Sequence, residues 1–297
     1  MQTIHIVSCP VCKNENLKLF LKGKDHFASK ETFNIEQCET CGFLFTQDFP
    51  SEKNIDSYYV SDDYISHSDS RKGLMNKLYH QVRKYMLGRK TKLVEKQFSQ
   101  KGTLLDIGAG TGYFANEMKN TGWAVAAIEK SVQARNFIKE KWNIDAQEDK
   151  ALFEIPQHSV DVITLWHVLE HIENLNEVMQ QLHKILQSNG TLFVALPNAA
   201  SFDAKHYQSF WAAYDLPRHL WHFTPQTFAL LASKHNFKIV KTKRMAFDVF
   251  YISLLSEKYR EKSLGLLRAI FTASIGWISS VFNKNKASSL IYVFKKV

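Results

Sequence analysis

Thr103-Leu104-Leu105-Asp106-Ile107-Gly108-Ala109-Gly110-Thr111-Gly112 is the stretch that decides the fold. Its first five residues are a short apolar run of the kind that fills a buried parallel strand. Three alternating glycines follow at once, and Tyr113-Phe-Ala-Asn-Glu-Met118 reads as a helix. A glycine-rich strand-to-helix turn lets a ligand approach the backbone and meet the N–H groups at the helix N-terminus. The spacing is GxGxG rather than GxGxxG, an acid precedes the glycines, and the GK[ST] of a phosphate loop is missing. Trp123-Ala-Val-Ala-Ala-Ile128 gives a second strand ending at Glu129, 17 residues after Gly112. An acid at that tip can accept hydrogen bonds from both hydroxyls of a ribose.

Downstream, Asp161 to Leu165 reads as a fourth strand running into Trp166-His167-Val-Leu-Glu170-His171-Ile172. Trp166 and His167 fall at the carboxyl end of a strand, where open α/β sheets place ligands. His167, Glu170 and His171 are spaced i, i+3, i+4, which puts them on one helix face. The same string reads HxxEH, a zinc-hydrolase pattern in which two His bind the metal and Glu is the base. The plainer alternative has Glu170 and His171 fixing the start of a helix and bonding to nearby loops. Leu175, Val178, Met179, Leu182, Ile185 and Leu186 then give an amphipathic helix closed by Asn189-Gly190. Further strands are expected at Thr191–Leu196, Lys238–Thr242 and Leu290–Phe294.

Leu105 to Gly112, Glu129, and Val160-Asp161-Val-Ile163 through Leu169-Glu170-His171 together resemble class I S-adenosylmethionine-dependent methyltransferases, in particular the ubiquinone-biosynthesis O-methyltransferase branch. The resemblance covers residues 101–200 well and 201–245 and 288–296 more loosely. It implies an α/β, Rossmann-like sheet of seven strands with helices on both faces and a reversed final hairpin. It also implies a cofactor, S-adenosylmethionine. Asp106, Gly108, Ala109, Gly110 and Gly112 would hold its methionine end and Glu129 its ribose. Glu148 or Asp149, two acids competing for one role, would hold the adenine, with Trp166 and His167 beside the cofactor. Some relatives carry acidic residues for a divalent cation on the turn where this chain has His167.

After the fifth strand, Asp215-Leu-Pro-Arg218-His219-Leu-Trp221-His222-Phe223-Thr224-Pro225 is rich in His, Arg and aromatics and resembles an acceptor-binding loop. Methyl transfer to a hydroxyl needs a positioned nucleophile and a group that removes its proton. A His suits that task near neutral pH. His219 and His222 are the first candidates for the catalytic base, then His167. Arg218 either clamps an acidic acceptor group or pairs with Asp215. A small-molecule, sugar or lipid-linked acceptor is expected. Nucleic acid is disfavoured, because the basic residues form no stripe interleaved with stacking aromatics. The rival reading is a non-catalytic module that binds the cofactor without turnover.

All four cysteines lie in Cys9-Pro-Val-Cys12 and Cys38-Glu-Thr-Cys41-Gly42. Two CxxC pairs at this separation match a four-thiolate zinc site, structural rather than catalytic. Leu17–Phe20, Phe33–Ile35 and Gly42–Phe45 alternate as strands do, so a zinc ribbon is expected. Lys13, Lys18, Lys22, Lys24 and Lys30 are offset by Glu15, Asp25, Glu31, Glu36 and Glu39, which argues for a folding or capping role. The expected organisation is a ribbon over 1–48, a polar linker with a leader helix over 49–100, and the methyltransferase domain over 101–297, with a helical insertion at about 250–286.

Among the 297 residues, 45% are apolar and 23% charged, which excludes a mostly disordered chain and a polytopic membrane protein. The net charge is +9, and residues 201–297 carry +10 while 102–200 carry −5. MQTIHIVSCP has no apolar core of signal-peptide length, so a cytoplasmic setting with reduced thiols is expected. The apolar run Leu264–Phe282 is long enough to raise a membrane question. Strands on either side that pair in one sheet exclude a single span, which leaves peripheral contact at a membrane, a lid over an apolar acceptor, a dimer contact, or packing on the leader helix.

Overall fold

Buried apolar runs set the strands and amphipathic stripes the helices. The computed structural model describes residues 3–59 and 74–297, the side chains of 74–80 excepted. In chain order the strands are β1 (Thr3–Ile4), β2 (Leu17–Lys24), β3 (Thr32–Cys38), β4 (Leu44–Gln47), β5 (Phe49–Pro50), β6 (Thr103–Ile107), β7 (Ala124–Ile128), β8 (Val160–Trp166), β9 (Leu186–Pro197), β10 (Trp221–His222), β11 (Phe237–Arg244) and β12 (Ser289–Lys296). The α-helices are α1 (Leu74–Glu95), α2 (Tyr113–Asn120), α3 (Val132–Trp142), α4 (Leu175–Ile185), α5 (Phe202–Tyr207), α6 (Pro225–Lys234), α7 (Asp248–Arg260) and α8 (Gly265–Phe282). The part of the expected polar linker that falls on residues 60–73 lies outside the described residues.

Six strands form the main sheet in the order β11-β12-β9-β8-β6-β7. β6 runs parallel to β7 and to β8 on its two sides, and Leu104, Leu105, Asp106 and Ile107 are all buried. A strand hydrogen-bonded on both edges and covered on both faces is mostly apolar, and the one acid in this run, Asp106, is buried with a hydrogen-bond donor on β8, the Thr164 hydroxyl. The expected third strand is reduced to one parallel bridge, Ile128 to Gln147. α4 ends at Ile185 and β9 begins at once, so Asn189 and Gly190 sit within a strand instead of closing the helix. A Cβ at Gly190 would lie 2.7 Å from the Leu186 side chain, so close packing inside the strand, not capping, requires this glycine.

The chain divides into two compact units. The first holds Met1–Ser61, His167–Glu177 and Ala195–Tyr292; the second holds Asp62–Trp166, Val178–Val194 and Val293–Val297. The expected segments 1–48, 49–100 and 101–297 are distributed differently, because the N-terminal sheet is completed from far along the chain. Its order is β10-β4-β3-β2, with Trp221 paired to Phe45 and His222 to Leu44. Ile35 and Leu44 of this sheet share a core with Tyr207, Trp211, Leu216 and Ile252.

In the second unit, Val94 of α1 packs with Leu104, Phe114, Met118 and Trp123. The leader helix therefore buries Thr91 and Val94, while Tyr85 is half exposed and accepts a hydrogen bond from Arg89. α3 begins at the N-cap Ser131, whose hydroxyl accepts from Ala134 N–H, and ends on left-handed Asn143.

Candidate functional site

The second unit builds a ligand cradle at the end of β6. Gly108, Gly110 and Gly112 all have left-handed backbone, at φ 66°, 56° and 73°. Side chains with a Cβ rarely adopt that conformation. At Gly112, the N-cap of α2, a Cβ would also stand 2.9 Å from Ile138 and 3.0 Å from Trp142, so α3 packs against bare backbone. Above Gly110 there is open space. The Gly108 and Ala109 amides donate to Ile128 O, which ties the turn to β7. Glu129 follows directly: one carboxylate oxygen accepts from Gly110 N–H at 2.7 Å and the other from Ser131 N–H at 2.9 Å. A carboxylate with open space beside it and a bare glycine turn beneath fits a ligand bearing a ribose.

Asp106, expected at the cofactor, is buried and accepts a 2.6 Å hydrogen bond from the Thr164 hydroxyl, which joins β6 to β8. Burial pushes its carboxyl up to about 7. Trp166 closes β8, packs edge-on against Phe114, and has the Lys90 ammonium 4.4 Å above its ring. Glu148 is exposed and Asp149 half-buried at the start of the 3₁₀ turn Asp149–Glu154, next to the bridging Gln147.

The first unit gathers the histidines. His167 sits at φ 61°, strained for a residue with a Cβ. Its ring lies between two carboxylates, with Nδ1 3.4 Å from Glu170 and Nε2 3.4 Å from Asp248 at the start of α7. Burial opposes the charged ring, but Asp248 and Glu170 outweigh it and raise His167 to about 9. Residues 169–171 form a 3₁₀ turn, so the shared α-helix face expected for His167, Glu170 and His171 does not form. Glu170 is fully buried, and despite that burial His167 holds its carboxyl below the usual range.

His171 Nδ1 lies 3.0 Å from Arg218 O and 3.2 Å from the Tyr59 hydroxyl. Burial and the neighbouring His219 lower it to about 4, so the ring is neutral. His219 Nδ1 lies 2.8 Å from Ala213 O, which assigns the proton to Nδ1 and the lone pair to Nε2. Nε2 is 3.9 Å from an Asp215 oxygen. Glu170, His171 and His219 thus bring three potential ligand atoms within 4.8 Å of one another.

His222 is different. It is buried on β10, with Nε2 3.0 Å from the Thr46 hydroxyl, which in turn donates to His219 O. Burial lowers it well below its ordinary value. It staples β10 to β4 and faces no open space. Arg218 is buried and fully used: it pairs with Asp215 at 2.7 Å and with Asp25 at 3.2 Å, and donates to Tyr58 O. It makes the ion pair with Asp215, not a clamp held open for an acceptor. Asp25, from the loop after β2, also accepts from the Phe27, Ala28 and Ser29 amides. Asp25 and Asp248 are the partners that sequence reading misses, since a buried acid paired across the chain leaves no local pattern.

The four cysteines converge. Cys9 and Cys41 sulfurs are 3.5 Å apart, Cys12 and Cys38 3.4 Å, and all four lie within 4.8 Å of one another. Tetrahedral thiolates at about 2.3 Å from zinc stand about 3.8 Å apart, so the set fits that ion. Each CxxC turn needs a left-handed residue after its second cysteine: Gly42 at φ 75° in one, Lys13 at φ 63° in the other.

Residues 78–242, more than half the chain, match the family model described as a methyltransferase domain. The chain is 28% identical over 106 residues to a ubiquinone biosynthesis O-methyltransferase of Glaesserella parasuis, covering 32% of this chain and 45% of that protein. It is 32% identical over 104 residues to the protein of the same name from Caulobacter vibrioides, covering 32% and 41%. The chain thus spans less than half the length of these curated relatives. A SAM-dependent methyltransferase structure from Archaeoglobus fulgidus superposes with TM-score 0.51 at 16% identity, covering 75% of this chain and all of that one, a likeness of fold. The glycine turn, the acid after β7 and the strand order thus lie in a chain that belongs to the methyltransferase-domain family, with the class I fold.

Proposed function

We propose that this protein transfers the methyl group of S-adenosylmethionine to a small-molecule, sugar or lipid-linked acceptor, and that His219 takes the acceptor's proton. The observation that carries the reading is the cradle of left-handed glycines at 108–112 under the Glu129 carboxylate. When bound, the cofactor supplies an electrophilic methyl carbon on a sulfonium. Glu129 would exchange its backbone partners for the ribose hydroxyls, and the bare backbone at Gly110 would admit the methionine end. Glu148 or Asp149 remains the proposed adenine partner.

His219 is favoured over the other two histidines on physical grounds. Its Nδ1–H is fixed on a carbonyl, its Nε2 lone pair is available, and Asp215 stabilises the ring once charged. His219 Nε2 would take the proton of the acceptor hydroxyl as its oxygen bonds to the methyl carbon and the carbon–sulfur bond breaks, its electron pair staying on sulfur as a neutral thioether. His167 is already protonated near neutrality, and His222 is occupied by Thr46. The four sulfurs would hold a structural zinc that the small N-terminal sheet needs in order to fold. The hydrolase reading requires a neutral His167 as a ligand, and its two carboxylates oppose that.

The test is incubation of the pure protein with methyl-labelled S-adenosylmethionine and a fractionated cell extract. Label in a lipid or small-molecule fraction, lost 10²-fold or more in His219→Asn with cofactor affinity unchanged, is expected. Label in nucleic acid or protein would overturn the acceptor class. Cofactor binding with no label in any fraction would favour the non-catalytic module.

A further inference from the structure

An ordinary surface helix turns its large apolar residues inward and its small or polar ones outward. α8 does the reverse. Ala269, Thr272, Ala273, Gly276 and Ser280 form its buried side. A Cβ at Gly276 would lie 3.0 Å from Val249 and 3.3 Å from Phe202, so the helix is pressed against α7 and α5. Leu266, Leu267, Phe271, Ile278, Val281 and Phe282 point away, each at least 50% exposed. α8 is the one helix among the described residues long and apolar enough to cross a membrane. It does not read as a span: one side is covered by the protein, and both its ends lead back into elements of the same unit. At 1.5 Å per residue its 18 residues extend about 27 Å. Exposed Glu261 and Lys262 precede it, exposed Lys284 and Lys286 follow it, and the helix itself contains no acid, so its flanks are net basic.

From this we infer that α8 is a monotopic membrane-surface element, lying flat with its outer face in the interfacial layer of an anionic bilayer while the terminal lysines meet lipid headgroups. The charge pattern selects a lipid surface over a second copy of the chain. Two such faces brought together would crowd basic ends with no acid on either helix to receive them. The inference is independent of the methyl-transfer reading, since it uses no residue of the cradle or the histidine cluster.

The test is flotation of the full chain with vesicles of phosphatidylcholine alone and with 30% phosphatidylglycerol, alongside its sedimentation without lipid. The wild type is expected to float with the anionic vesicles, at least tenfold less with neutral ones, and less as salt rises. Leu267→Glu/Phe271→Glu, which alters exposed positions, should abolish flotation with an unchanged circular dichroism spectrum. Lys262→Glu/Lys284→Glu/Lys286→Glu leaves the apolar face intact and should lower anionic-vesicle binding at least tenfold, so the idea stays testable if the first variant misfolds. No flotation with either vesicle overturns the inference. So does a lipid-free dimer that Leu267→Glu/Phe271→Glu converts to monomer, which would make the face an interface between two copies.

Discussion

Glu129, the proposed ribose partner, is held between two backbone donors. Its two oxygens hold Gly110 N–H and Ser131 N–H. Charge-assisted hydrogen bonds of this kind are roughly twice as strong as neutral ones. Glu129→Gln puts an amide where one acceptor was and removes the charge. Affinity for S-adenosylmethionine should fall at least tenfold by calorimetry, or about 1.4 kcal/mol; unchanged affinity would place the ribose elsewhere. His167 gives the second expectation at this scale. Its folded value, about 9, lies above the ordinary 6.5. The stability that Glu170 and Asp248 add through the charged ring is therefore fully present below about pH 6.5 and is lost as pH rises through 9. Asp248→Asn should lower the ring's titration midpoint, read by NMR of labelled histidine. In urea the variant should be less stable than wild type at pH 6 and should converge with it by pH 10. An equal gap at both values would mean Asp248 acts through packing alone.

Within the turn between β6 and α2, the three glycines do different work although the sequence writes them alike. Gly112 combines a left-handed backbone with van der Waals crowding by Ile138 and Trp142. Gly110 has the backbone requirement and open space. Gly112→Ala should therefore destabilise the fold by about 1–3 kcal/mol in chemical denaturation. Gly110→Val should cost less stability and lose cofactor binding, because its side chain would fill the open space. If the two variants swapped these phenotypes, the cradle would be misplaced. This turn was legible in the sequence because its signals are local: an apolar run, glycines where φ is positive, an acid at the next strand tip. The histidine cluster was only half legible. HxxEH was visible as a string, but whether it formed a helix face depended on a 3₁₀ turn and a strained His167. That ring's other partner, Asp248, lies 81 residues on. Arg218 and Asp25 stand 193 residues apart, and no periodicity relates them. β10, two residues long, carried no strand signal, because its pairing is set by β4 rather than by its own composition.

At the scale of the whole chain, the four-cysteine segment and the late loop form one unit rather than two beads on a string. Cys38 ends β3, β3 pairs with β4, and β4 pairs with Trp221 and His222. Arg218 is buried between Asp215 and Asp25, and the Thr46 hydroxyl is shared by His222 and His219 O. Removing one partner of such a buried charge pair typically costs about 3–5 kcal/mol, since the remaining charge is left uncompensated. Zinc removal should thus be felt far from the sulfurs. In the metal-loaded protein, metal analysis should find one zinc per chain, and a second would point to Glu170, His171 and His219. On chelation, hydrogen exchange should quicken over residues 9–47 and also over 213–222, with labelling of acceptor falling in step. The second unit, whose core of Leu104, Phe114, Met118 and Val162 contains no residue of the cysteine segment, should keep its protection and its affinity for S-adenosylmethionine. Faster exchange confined to residues 9–41 would instead make the cysteine module autonomous, and the ordering of His219 would then owe nothing to the metal.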